Sequence, residues 1–188
     1  MTGVTLIVLL AVLGVTIVQI GQLIWLHLFL GFLLLGPVAL KLASTGYRFA
    51  RYYTGSRAYR EKGPPDIALR LLAPLVIVST LVVFASGVLL LADGPRGRDE
   101  YLTIHKASFI VWLAATALHV LGHLPGLGTT LRVAAQSTER PRLSTSDTGR
   151  WIALAGAVVG GVVLAVVLIP DFAAWTAHGV FVHHHEHR

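Results

Sequence analysis

Three histidines stand on one apolar stretch of the chain: His105, His119 and His123 in LTIHKASFIVWLAATALHVLGHL, Leu102 to Leu124. A fourth, His27, opens the stretch IWLHLFLGFLLLGPVALKLA, and Lys41 follows it by fourteen residues. The same interval separates His105 from His119. On an α-helix that interval leaves two side chains within roughly 40° of each other around the axis and about 21 Å apart along it. Ionisable groups inside a membrane helix are costly and usually mark a function. Two imidazoles from different helices, one on each axial side of an iron, are what a bis-histidine b-type haem requires.

The elements that must carry these residues are membrane helices. The chain has 188 residues, 55% of them hydrophobic and only 13% charged, with a mean hydropathy of +0.73. That composition predicts an all-α, polytopic membrane bundle of four to five transmembrane helices and no large water-soluble domain. The absence of cysteine excludes disulfides, covalently attached c-type haem and cysteine-ligated iron–sulfur clusters. A redox cofactor would have to be held by histidine or another non-sulfur ligand.

The predicted spans are residues 4–20, 23–45, 67–92, 102–124 and 151–169, forming one domain over 1–170. The polar notch at Gln19, Gly21 and Gln22 predicts a break, because one helix over residues 4–45 would be about 60 Å long, twice the hydrocarbon thickness. The first segment reads as a short span, and Pro37 as a kink in the second. The N-terminus lacks the basic region of a cleaved signal peptide.

Two connections are rich in arginine. One holds Arg48, Arg51, Arg57, Arg60 and Lys62, and the other Arg132, Arg140, Arg142 and Arg150. Both are expected on the cytoplasmic face of a cell membrane, where the first could also grip anionic lipid headgroups. The formal charge of +6 then reports topology, and no nucleic-acid partner is expected. The histidine-rich tail, residues 171–188, falls outside.

This topology runs the second and fourth spans in the same direction, with His27 and His105 at similar depth near the outer surface. Lys41 and His119 share a depth near the inner one. Gly31, Ala107, Ala114 and Ala115 are small residues that could admit a porphyrin edge. Phe109 and Trp112 lie between the two levels, as packing or as an electron route. Gln22, Arg96, Arg98 and Lys106 are candidate partners for propionates at the outer end.

Ligands fourteen residues apart on two parallel helices resemble the haem-binding helices of the transmembrane cytochrome b superfamily. HLFLGFLLLGPVALKLASTGYRFARYYTG and IHKASFIVWLAATALHVLGHL also resemble a family of actinobacterial membrane proteins to which no activity attaches. The superfamily pattern implies four histidines and two haems. Here His27, His105 and His119 match and Lys41 departs, so one haem b is expected and a second, inner one would need Lys41 as a ligand or an open axial position. The commoner fate of such a lysine is to snorkel to the headgroups.

The resemblance implies electron transfer between a membrane quinone and a partner protein, by an electron-transfer subunit rather than a stand-alone enzyme; a homo-oligomer is the alternative to a redox partner protein. Two other classes compete: a haem-free scaffold whose histidines hydrogen-bond inside the bundle, and a metal or proton transporter. A ligand role for His123 belongs to these minor readings, as does metal binding by His178, His183, His184, His185 and His187 of the tail. No phosphate-binding glycine loop, HExxH motif or GxSxG elbow is present, and no residue is expected to be catalytic.

Overall fold

The computed structural model describes residues 2–55, 67–136 and 145–176. They form six α-helices: α1 (Thr2–Val18), α2 (Ile20–Tyr53), α3 (Ile67–Asp93), α4 (Arg98–Gln136), α5 (Thr145–Val167) and α6 (Ile169–Thr176). A 3-10 turn, Gly94–Gly97, joins α3 to α4. No strand occurs among the described residues. Segments Ile20–Tyr53, Leu71–Asp93, Arg98–Gly122 and Thr148–Val167 are each long and apolar enough to cross a bilayer. Large apolar side chains such as Val15, Ile110 and Ile152 lie exposed on the bundle's outside, which suits lipid and not water. The chain is a multi-pass helical membrane protein.

The expected break falls at Gln19, whose backbone leaves the helical region, and Leu23 is non-helical as well. The chain reverses there. Thr16 and His27 touch at 2.9 Å, whereas eleven residues along one straight helix would separate them by about 16 Å. With 17 residues, α1 is about 26 Å long, near the lower limit for a span. Pro37 stays inside α2.

Backbone-to-backbone contact joins α2 to α5. A Cβ on Gly36 would run into the Ala157 carbonyl, and one on Gly161 into the Leu33 carbonyl. Small residues permit this approach, which gives dispersion contacts in a solvent that supplies no hydrophobic drive between helices.

The second hairpin, α3 and α4, is held differently. Buried Ser79, Thr80 and Ser86 each donate a hydroxyl proton to their own helix, to Leu75 O at 2.7 Å, Val76 O at 2.6 Å and Val82 O at 2.7 Å. Their oxygens remain available as acceptors. Thr80 accepts from Trp112 Nε1 at 3.0 Å, and Gly94 supplies the positive φ (65°) that turns the chain out of α3.

The two halves, α1–α2–α5 and α3–α4, meet at one end. There α6 lies against α2, α3 and the 3-10 turn. Phe172 is 1% exposed and stacks on Phe32 with ring centroids 6.1 Å apart, while meeting Trp25 edge-on at 6.3 Å. Phe172 and Trp175 are buried with Phe32, Leu33, Leu90, Leu91 and Ala165.

Three boundaries differ from expectation. Helix α2 runs to Tyr53 and α4 to Gln136, well past residues 45 and 124. Loss of apolarity marks where a span leaves the hydrocarbon, while a helix satisfies its own backbone and continues beyond. Residues 171–176 belong to α6 and the core, because Phe172 and Trp175, three apart, fall on one helical face. The tail histidines from His178 onward lie outside the described residues, as do the side chains of Arg96 and His123.

Candidate functional site

His27 is on α2, seven residues from its first residue, and His105 is on α4, also seven residues from its start. Both helices begin at the end where α6 and the 3-10 turn sit, so the two imidazoles share a depth. His27 belongs to one half of the bundle and His105 to the other. Leu34, 20° from His27 around the helix by ideal geometry, is fully buried, so this face of α2 points into protein.

The helices that carry them scarcely touch. Helix α4 packs against α3 and the turn, and α2 against α1, α5, α6 and, more lightly, α3. Axes of directly packed helices lie 8–10 Å apart, too close for a porphyrin between them. Gly31, one turn below His27, adds room: a Cβ there would meet nothing within 4 Å.

Each ring is anchored through Nδ1 to its own half. His27 Nδ1 lies 2.9 Å from Thr16 Oγ1, and Thr16 donates its proton to Leu13 O at 2.6 Å. His105 Nδ1 lies 3.0 Å from Ser86 Oγ and 3.0 Å from Val83 O. A carbonyl can only accept, so His105 carries its proton on Nδ1. The same follows at His27, because the Thr16 proton is already engaged. In each neutral ring Nε2 then holds the lone pair, and every hydrogen bond to either ring among the described residues falls on Nδ1. The third hydroxyl–aromatic pair, Thr80 with Trp112, shows the same construction with a ring nitrogen that can only donate.

Close packing confines the His105 ring as well. A Cβ on Gly87 would come 3.3 Å from its Cε1, so the imidazole lies against bare backbone.

Fourteen residues further along each helix, Lys41 is exposed on α2, and Arg48 follows it on the same exposed stretch. His119 is half-buried on α4. Between Trp112 and His119 the hydroxyl of Thr116 is buried with no hydrogen-bond partner among the described residues. Phe109 stacks on Trp112, centroids 6.0 Å apart. Of the residues expected to meet propionates, Gln22 and Lys106 are exposed and Arg98 half-buried, all at the end of the bundle where α2 and α4 begin. Ala115 is buried, whereas Ala107 and Ala114 are exposed and so lie away from any interior slot.

The sequence reading missed Thr16, Ser86, Gly87 and the Val83 carbonyl. No group of three or more His, Cys, Asp or Glu side chains able to hold a metal ion occurs among the described residues. A pair of imidazoles is what they offer. No family model matches the chain, and neither the curated proteins nor the solved structures include one similar to it.

Proposed function

We propose that this protein is a b-type haem carrier of electrons in the cell membrane, with His27 and His105 as the axial ligands of one haem near the outer face. The observation that carries the reading is the matched pair of Nε2 lone pairs, presented from two halves of the bundle whose histidine-bearing helices do not pack on each other. A bound haem would supply one-electron transfer at iron. The chain's own residues orient two imidazoles, and Gly31 leaves space beside one of them. Gln22, Arg98 and Lys106 stand at the outer end, where propionates need polar or cationic partners.

The resemblance in ligand spacing supports a membrane quinone as one redox partner and a protein as the other. Arginine-rich connections support a cytoplasmic inner end and an outer histidine-rich tail. Lys41 fits a headgroup anchor better than a ligand, since it is exposed. One haem therefore fits better than two, with His119 outside the primary site.

The visible spectrum of the purified, dithionite-reduced protein tests this. A sharp α-band that is lost in both His27→Ala and His105→Ala supports the assignment. A haem-free scaffold is the second reading, favoured by the anchoring of each histidine within its own half. It predicts no α-band, either as isolated or after haemin is added.

A further inference from the structure

The first helix is hard to account for as a membrane anchor alone. It is shorter than each of the four segments among the described residues that are long and apolar enough to cross a bilayer. Yet Thr16 is only 1% exposed, although it is polar. Its two contacts define its use. The hydroxyl proton goes to Leu13 O at 2.6 Å, and the oxygen faces His27 Nδ1 at 2.9 Å. Ser86 repeats the arrangement for His105, donating to Val82 O at 2.7 Å and facing Nδ1 at 3.0 Å.

We infer that Thr16 is the positioning residue that holds His27 as its Nδ1–H tautomer, that Ser86 shares this role at His105 with the Val83 carbonyl, which suffices there, and that both Nε2 lone pairs are thereby left for one ligand. This deepens the haem reading and rests on it for the identity of the ligand. The inequality comes from the acceptors. His105 has a second one, Val83 O at 3.0 Å, contributed by backbone that no side-chain change removes. Among the described residues His27 has one acceptor, the Thr16 hydroxyl, brought by a helix that folds back onto α2. Partners of this kind fix the tautomer and orientation of a ligating histidine, and their loss typically weakens metal affinity about 10–100-fold.

The test uses the full-length protein in lipid nanodiscs, labelled with 15N-histidine and measured both haem-free and after haemin titration. His27→Asn and His105→Asn variants assign the two rings among the nine histidines. Imidazole 1H–15N correlations of the haem-free protein should show Nδ1–H at both. The near-isosteric Thr16→Val should lose that state at His27, and Thr16→Ser should restore it. Ser86→Ala should leave His105 as Nδ1–H, because the Val83 carbonyl still accepts.

In the haem-loaded protein, Thr16→Val should weaken haemin affinity by about 10–100-fold and shift the midpoint potential. Ser86→Ala should do less on both measures. An unchanged His27 tautomer in Thr16→Val, or equal effects of the two variants, overturns the proposal. If the tautomers behave as stated while no variant, nor the wild type, takes up haemin, the haem reading fails and the positioning roles stand.

Discussion

The two halves of this bundle present the same side chain at the same depth, but they are built on different principles. In the α1–α2–α5 half, Gly36 and Gly161 let two backbones touch, and a reversed helix delivers one hydroxyl to His27. In the α3–α4 half, adhesion is polar: Thr80 accepts from Trp112 and Ser86 from His105. One half is fitted by shape and the other is pinned by hydrogen bonds. Shape holds helices close without choosing a side-chain orientation, whereas a hydrogen bond chooses it. The doubly anchored His105 is the firmer of the two histidines.

Breaking the contrast starts where the halves join. Phe172→Ala removes a side chain 1% exposed from between Trp25 and Phe32, and should destabilise the fold by about 3–5 kcal/mol. Thermal unfolding in micelles should show a single lowered midpoint, and uptake of the proposed haem should fall alongside. An unchanged midpoint would mean that α6 does not tie the halves together.

Overfilling the shape-fitted half comes next. Gly161→Leu sets a side chain against the Leu33 carbonyl, where overpacking costs about 1–3 kcal/mol or more. The loss should register at α2 and α5 in hydrogen exchange and spare α3–α4. Uniform deprotection across all helices would erase the distinction between the halves.

Smaller effects belong to the pinned half. Trp112→Phe deletes one interhelical hydrogen bond, worth about 0.6–2 kcal/mol in membrane helices. Thr80→Val deletes the same bond from the other side. The double variant should therefore cost little more than either single one in a denaturant titration. Full additivity would show that the two side chains do not act as a pair.

The least effect is expected at Lys41. Lys41→Gln changes an exposed side chain, and surface changes of this kind usually stay within about 0.5 kcal/mol. Its reduced spectrum should match the wild type in shape and in haem content per chain. A lost or shifted band would bring Lys41 back as a ligand.

Much of the arrangement was legible in the residue pattern. The apolar runs gave the spans, the notch at Gln19–Gln22 gave the break but not the reversal, and the fourteen-residue intervals singled out His27 and His105. What was not legible depends on register between helices. Thr16 and Ser86 are ordinary hydroxyls in apolar runs until another helix brings an imidazole to within 3.0 Å. Gly87 likewise acquires meaning only from the ring beside it. Phe172 and Trp175 fall in the segment expected as tail, just past Pro170 and Asp171. A proline is tolerated in the first turn of a helix, so α6 forms across it and docks. Hydropathy also ended α2 and α4 early, since it reports the bilayer boundary and not the last hydrogen-bonded turn.

One measurement bears most directly on a single haem held by one imidazole from each half: low-temperature electron paramagnetic resonance of the oxidised protein and its two single variants. Wild type should give a low-spin bis-imidazole signal. His27→Ala and His105→Ala should each convert it to high-spin iron held by the remaining histidine, and the double variant should hold no haem. Persistence of the low-spin signal in either single variant would contradict the account.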